Sequence, residues 1–132
     1  LSRGATHAVC VEKSAKHAAI LRQNLQTSRI NPACLEARVL DAFTAIAQFA
    51  AGGRQFDLIL ADPPYGEKNV GYRSTSFAQR LLDDPHLPGL LTEAGLFILG
   101  HTKRDTLDLP ATWAEVKFLK HGDTVMRFLR NA

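Results

Sequence analysis

Phe56-Asp57-Leu58-Ile59-Leu60-Ala61 leads without interruption into Asp62-Pro63-Pro64-Tyr65. Apolar residues occupy both parities of the first six positions. A half-solvated strand would alternate, so the run reads as a strand of a parallel sheet covered on both faces. The two prolines end it. Each restricts φ and lacks the N–H that a sheet ladder needs, so the turn is stiff and Asp62 stands at the carboxyl end of the strand.

The same alternation extends in both directions. Upstream, His7-Ala8-Val9-Cys10-Val11-Glu12 reads as a strand ending in an acid. Ser14 then serves as a helix N-cap, and Ala15, Ala18, Ala19, Leu21, Arg22 and Leu25 follow at helical spacing. Asn31-Pro32 breaks the chain, residues 34–40 read as a second strand, and Asp41 closes it. Phe43, Ile46, Ala47 and Ala50 form the apolar face of a second helix that ends at Gly52-Gly53. Downstream of the prolines come a polar loop over 66–74, helical pieces over 76–83 and 87–92 broken by Pro85 and Pro88, and a strand over 95–101. Residues 114–119 and 124–129 are β-rich and flank Lys120-His121-Gly122-Asp123, the pattern of an antiparallel hairpin with a glycine-containing turn. Strands alternating with helices define an α/β fold with a mostly parallel sheet and a C-terminal antiparallel hairpin. Ligands of such sheets bind beyond the carboxyl ends of the strands, where this sequence puts Glu12, Asp41 and Asp62 on one rim.

The chain has 132 residues, the size of one domain, and 45% of them are hydrophobic, enough to bury a core. Sixteen basic against thirteen acidic residues give a net charge of +3, which permits an RNA or DNA partner without requiring one. Cys10 and Cys34 lie in apolar runs and read as buried free thiols of a reducing compartment, here the cytoplasm. No membrane partner is expected, since no apolar run approaches bilayer-spanning length. No metal is expected either, because His7, His17, His86, His101 and His121 lack ligand spacing. Trp113 reads as a packing residue. The opening Leu1-Ser2-Arg3-Gly4-Ala5 is no signal peptide and has no initiator Met, so the chain reads as a piece of a longer one.

The tetrapeptide Asp62-Pro63-Pro64-Tyr65 after an apolar strand resembles the acid-or-amide, Pro-Pro, aromatic motif of amino-group methyltransferases. Taken in order, Leu1 to Ala5, Val11-Glu12-Lys13, Asn24-Leu25, Asp57-Leu58-Ile59 and Lys120 to Val125 resemble the bacterial family that methylates guanine N2 in small-subunit ribosomal RNA. The resemblance covers nearly the whole chain. It implies a Rossmann-like class I fold, a three-layer sandwich dependent on S-adenosyl-L-methionine (SAM). The family begins with a strand and a glycine-rich turn just before the position of Leu1. Residues 1–132 are therefore expected to form a single, N-terminally incomplete methyltransferase domain with its first strand missing.

The resemblance assigns roles to particular residues. An exocyclic base amine is a weak nucleophile, because its lone pair is delocalised into the ring. The Asp62 carboxylate and the Pro63 carbonyl can accept its two hydrogens and turn the lone pair toward the methyl donor. Pro64 shapes the turn, Tyr65 stacks on the base, and the rate gain comes from positioning and electrostatics. Asp62 also borders the cofactor. Glu12, with Lys13 beside it, matches the acid that binds the ribose hydroxyls. Asp41 matches the acceptor of the adenine amine, with Ala42 and Phe43 next to the ring. The plainer roles are a strand-end acid paired with lysine for Glu12, and a helix N-cap for Asp41. Lys68, Tyr72 and Arg73 lie in what reads as a mobile loop able to close on an exposed base and its phosphates. Lys103, Arg104, Lys117, Lys120 and Arg127 are further cationic candidates for RNA contact.

The expected partner is ribosomal RNA or the small-subunit particle. The complete protein is expected to be a monomer, while the slot left by the missing strand opens a route to a dimer of the shorter chain. Two other readings are a DNA adenine-N6 methyltransferase, which presents the same amine chemistry, and a catalytically silent piece that folds and binds.

Overall fold

A computed structural model describes all 132 residues. The chain divides into two compact units, Leu1–Gln48 and Phe49–Ala132.

In the first unit, β1 (Ala8–Val11) pairs in parallel with β2 (Leu35–Arg38), in register from Ala8 opposite Leu35 to Val11 opposite Arg38. The helix α1 (Ala15–Thr27) connects them. Ser14 caps it as expected, its hydroxyl accepting from the His17 N–H. Cys34 belongs to a 3-10 turn, Pro32–Cys34, rather than to a strand. The Asn31 side chain accepts from the Ala33 N–H at 3.0 Å and the Asn31 carbonyl from the Cys34 N–H at 3.0 Å, which delays strand entry to Leu35. The helix α2 (Ala42–Ala51) begins here, with Ala45 and Ile46 buried, and its last turn belongs to the second unit. The two thiols are free and half-buried rather than buried. Partial burial raises the Cys10 thiol above its ordinary pKa.

The second unit is a four-stranded sheet in the order β3-β4-β6-β5, with β3 Phe56–Ala61, β4 Leu91–Thr102, β5 Trp113–His121 and β6 Thr124–Asn131. The β3–β4 pair is parallel and the other two pairs are antiparallel. The terminal hairpin therefore enters the sheet through its second strand, and β6 lies inside. Its Val125 and Leu129 pack with Phe97 and Leu99 of β4, all at most 2% exposed. Trp113 lies with its ring 5.2 Å from that of Phe97 and donates its indole N–H to the Leu82 carbonyl, so its role is packing. Between β3 and β4 run α3 (Phe77–Asp83) and a 3-10 turn, Leu87–Leu90.

Two expectations change. The helical piece over 87–92 stops at Leu90, because Leu91 is already paired with Phe56. The register then jumps so that Leu58 faces Leu96, and Thr92–Gly95 bulge out of the pairing. The run Phe56–Ala61 is not covered on both faces. It forms an edge strand, and Leu58 and Leu60 are 51% and 68% exposed.

Candidate functional site

In the first unit the two strand-end acids follow the carboxyl ends of neighbouring parallel strands. The Glu12 N–H donates to the Arg38 carbonyl at 2.9 Å, which extends the ladder by one step and fixes Glu12 at the strand end. Its Oε1 accepts from the Ser14 N–H at 2.9 Å and lies 3.8 Å from His17 Nδ1, so a histidine stands where the plainer reading of Glu12 had a lysine. Lys13 is exposed. Asp41 is the N-cap of α2: its Oδ2 accepts from the Phe43 and Thr44 N–H groups at 3.0 and 3.1 Å. Ala42 is exposed and Phe43 half-buried. Two half-exposed carboxylates beyond one parallel pair suit the donors of a nucleoside, a ribose diol and an adenine amine.

In the second unit, Asp62–Tyr65 leaves β3 as an open turn with Asp62, Pro64 and Tyr65 exposed. It rests on the carboxyl end of β4. A Cβ on Gly100 would lie 2.8 Å from Asp62 Oδ1 and 3.2 Å from Met126 Sδ, so the carboxylate seats against bare backbone there. Tyr65 is 55% exposed, and its hydroxyl is 3.1 Å from Thr124 Oγ1 at the start of β6. About half of the side chain is thus open to solvent while the phenol end is held.

The loop over 66–74 is fastened, not loose. Asn69 is buried and bonds three backbone groups: its amide donates to the Tyr72 and Thr106 carbonyls, and its oxygen accepts from the Thr106 N–H at 2.8 Å. Tyr72 is 60% exposed and donates its hydroxyl to the Lys68 carbonyl, while the Lys68 side chain is exposed. Arg73 grips Asp83 with two bonds of 2.6 Å and approaches Asp108 at 3.2 Å. Arg73 holds the Asp83 carboxyl below the ordinary aspartate pKa, chiefly by that hydrogen bond. Its guanidinium is therefore engaged by acids of its own chain.

The other cationic candidates divide. Lys103 pairs with Asp123 at 3.1 Å. Arg127 pairs with Glu115 at 2.6 Å and donates to His101 Nε2. Lys117 and Lys120 lie over the rings of Phe128 and Phe118. His101 is 3% exposed. Burial lowers its pKa, and Nδ1 donates to the Thr102 carbonyl while Nε2 accepts from Arg127, so the ring is neutral.

Gly100, Thr124 and Asn69 are the site residues that the sequence reading passed over. Of these only Gly100 leaves a local trace, a glycine inside an apolar strand. No group of three or more His, Cys, Asp or Glu side chains could hold a metal ion, and no helix is long and apolar enough to cross a membrane.

Solved structures share this α/β fold. A candidate methyltransferase of Escherichia coli, yhhF, matches with TM-score 0.76 at 20% identity over 99% of this chain and 68% of its own. A hypothetical protein of Thermus thermophilus matches with TM-score 0.71 at 21% identity over 96% of this chain and 63% of its own. A candidate methyltransferase complexed with SAH matches with TM-score 0.70 at 13% identity over 96% of this chain and 39% of its own. The present chain thus spans less than two thirds of the length of the Thermus protein. No curated protein matches it in sequence. The chain belongs to the family described as conserved hypothetical protein 95, whose model matches residues 1–130.

Proposed function

We propose that this chain is the greater part of a SAM-dependent methyltransferase that modifies the exocyclic amine of a nucleic-acid base, guanine N2 of small-subunit ribosomal RNA. The observation that carries the reading is the Asp62–Tyr65 turn: an exposed carboxylate seated on Gly100, a stiff Pro-Pro step and an exposed aromatic side chain. SAM supplies a sulfonium-bound methyl group that needs only an aligned nucleophile. Asp62 and the Pro63 carbonyl accept the amine hydrogens and orient its lone pair, and Tyr65 stacks on the base. Glu12 and Asp41 fit the ribose and adenine of the donor, beside Lys13, Ala42 and Phe43. A match in fold to a protein complexed with SAH, the demethylated form of SAM, supports that donor. Lys68 and Tyr72 face the RNA. Arg73 shapes their loop through Asp83 and Asp108. We place the protein in the cytoplasm, as a monomer acting on ribosomal RNA or the small-subunit particle.

The test uses the full-length protein, labelled SAM and transcribed small-subunit ribosomal RNA, with nucleoside analysis of the product. N2-methylguanosine, lost in Asp62→Ala while SAM still binds, is the expected result. N6-methyladenosine made in DNA instead would replace this reading with the DNA one, and methylation by Asp62→Ala at the normal rate would remove the role given to Asp62.

A further inference from the structure

We infer that Asp105 is a positioning residue for the Asp62–Tyr65 turn, acting through Gly66. The inference rests on the reading of that turn as the methyl-transfer site. Asp105 lies three residues past the end of β4 and is 1% exposed. Its Oδ1 accepts from the Ser74 hydroxyl. Its Oδ2 is the one buried side-chain oxygen or nitrogen in the protein without a hydrogen-bond partner. An unpartnered buried carboxylate oxygen is costly, and a fold keeps one where its place matters. This one abuts Gly66. A Cβ there would stand 2.7 Å from Asp105 Oδ2 and 2.5 Å from Ser76 Cβ, so both pack against the face of Gly66 that a side chain would occupy.

The turn therefore has two seats, one on β4 and one in the segment that follows it. Its first residue, Asp62, rests on Gly100 within β4, and the residue after Tyr65 rests on Asp105 just beyond β4. Asp105 is located in turn from both sides. Its N–H donates to the Thr102 carbonyl at 3.1 Å, which ties it to the strand. Ser74 ties it to α3, because the Ser74 hydroxyl bonds the Ser76 hydroxyl and accepts from the Ser76 N–H, while Ser76 caps the helix at the Gln79 N–H. A turn held at one end pivots, whereas a turn held at both ends fixes where Asp62 and the Pro63 carbonyl meet an amine. Asp105 itself touches no substrate.

The experiment is single-turnover methyl transfer from labelled SAM to transcribed small-subunit ribosomal RNA by the full-length protein, with SAM affinity and melting temperature measured on every variant. Gly66→Ala is expected to slow transfer on the order of a hundredfold, as a misplacement near 1 Å does, and Asp105→Ala by roughly tenfold or more, both with unchanged SAM affinity. Asp105→Asn keeps the shape and the acceptor for Ser74, so it should recover most of the rate lost in Asp105→Ala. Hydrogen exchange should quicken over residues 62–76 in Asp105→Ala and stay unchanged over β5 and β6. Should Asp105→Ala fail to fold, Ser74→Ala carries the same expectations at smaller size.

A normal rate in Asp105→Ala beside a dead Asp62→Ala would overturn the inference and leave the proposed function standing. Loss of rate, SAM affinity and melting temperature together, without recovery in Asp105→Asn, would reduce Asp105 to a packing residue and also overturn it. If Asp62→Ala methylates normally, the role given to the turn fails while the methyltransferase reading stands, and unchanged exchange over 62–76 would then dispose of the positioning role as well.

Discussion

Glu12 and Asp41 bond backbone groups two or three residues away, while the proline turn is held from afar. Tyr65 reaches Thr124 across 59 positions, Asn69 reaches Thr106 across 37, and Ser74 reaches Asp105 across 31. The cores differ in the same sense. The unit with the two acids buries Ala18, Ala45 and Ile46, whereas the unit with the turn buries Phe97, Leu99, Leu129, Leu82, Leu87 and Trp113 among others. A carboxylate that caps its own helix can be placed by a few residues of sequence. A turn that must aim two acceptors at one amine needs a packed sheet behind it.

The strongest way to break this contrast is truncation of the core. Phe97 is fully buried in the second unit, and Phe97→Ala should cost about 3–5 kcal/mol in urea unfolding. Ile46→Ala in the first unit should cost about 2 kcal/mol, the low end for such a change. Equal costs would show that both units rest on cores of the same quality. Gln79→Ala comes next. The buried amide accepts from the Asp108 N–H at 2.8 Å and donates to the Asp108 carbonyl at 2.9 Å, so its loss strands two backbone groups at about 1–3 kcal/mol. A loss below about half a kcal/mol would mean that water replaces the amide there.

Local signals carried most of the elements. The Ser14 cap, the Asp41 cap, the strand at Phe56 and the hairpin around Gly122 lie where residue type and spacing put them, because each depends on a handful of neighbours. Two features were not readable in this way. The hairpin pattern does not say which of its strands joins β4, a choice made by the fit of Val125 and Leu129 against Phe97 and Leu99. The fastening of the 66–74 loop depends on Asn69 meeting Thr106, and nothing in the sequence near either residue marks the other. The motif tetrapeptide was legible, but its seats on Gly100, Thr124 and Asp105 were not, since they exist only once β3, β4 and β6 and the segment after β4 have come together.

A pH titration sharpens the comparison at intermediate size. Burial lowers the His101 pKa in the folded state, and the Arg127 charge adds to this. The unfolded chain therefore binds the proton first as the pH falls. His101 thus contributes little to the slope above about pH 7.5, and stability drops as the pH falls through about 6.5, by at most about 1.4 kcal/mol per pH unit. His101→Gln should flatten that limb, and an unchanged limb would assign it to other groups. Asp41→Ala should cost about 1 kcal/mol through the lost cap. Asp41→Ser keeps a cap but is too short to reach an adenine amine. It should therefore keep stability while weakening SAM binding, and SAM binding as tight as wild type would leave Asp41 a cap alone.

The smallest expected effect lies at the tie between the motif and the hairpin. The Tyr65–Thr124 bond is solvent-exposed, so Thr124→Val should shift stability by no more than about half a kcal/mol. Its consequence for the site is of another kind. With the hydroxyl released, the ring keeps its area for stacking but loses its fixed tilt, so affinity for RNA should hold while single-turnover methyl transfer slows several-fold. Tyr65→Phe makes the same cut from the other end, and the double variant should be no slower than either single one, because both remove one bond. If Thr124→Val slows transfer but Tyr65→Phe does not, the hairpin acts on the base by a route other than the phenol. The Tyr65–Thr124 bond would then drop out of the long-range support of the turn.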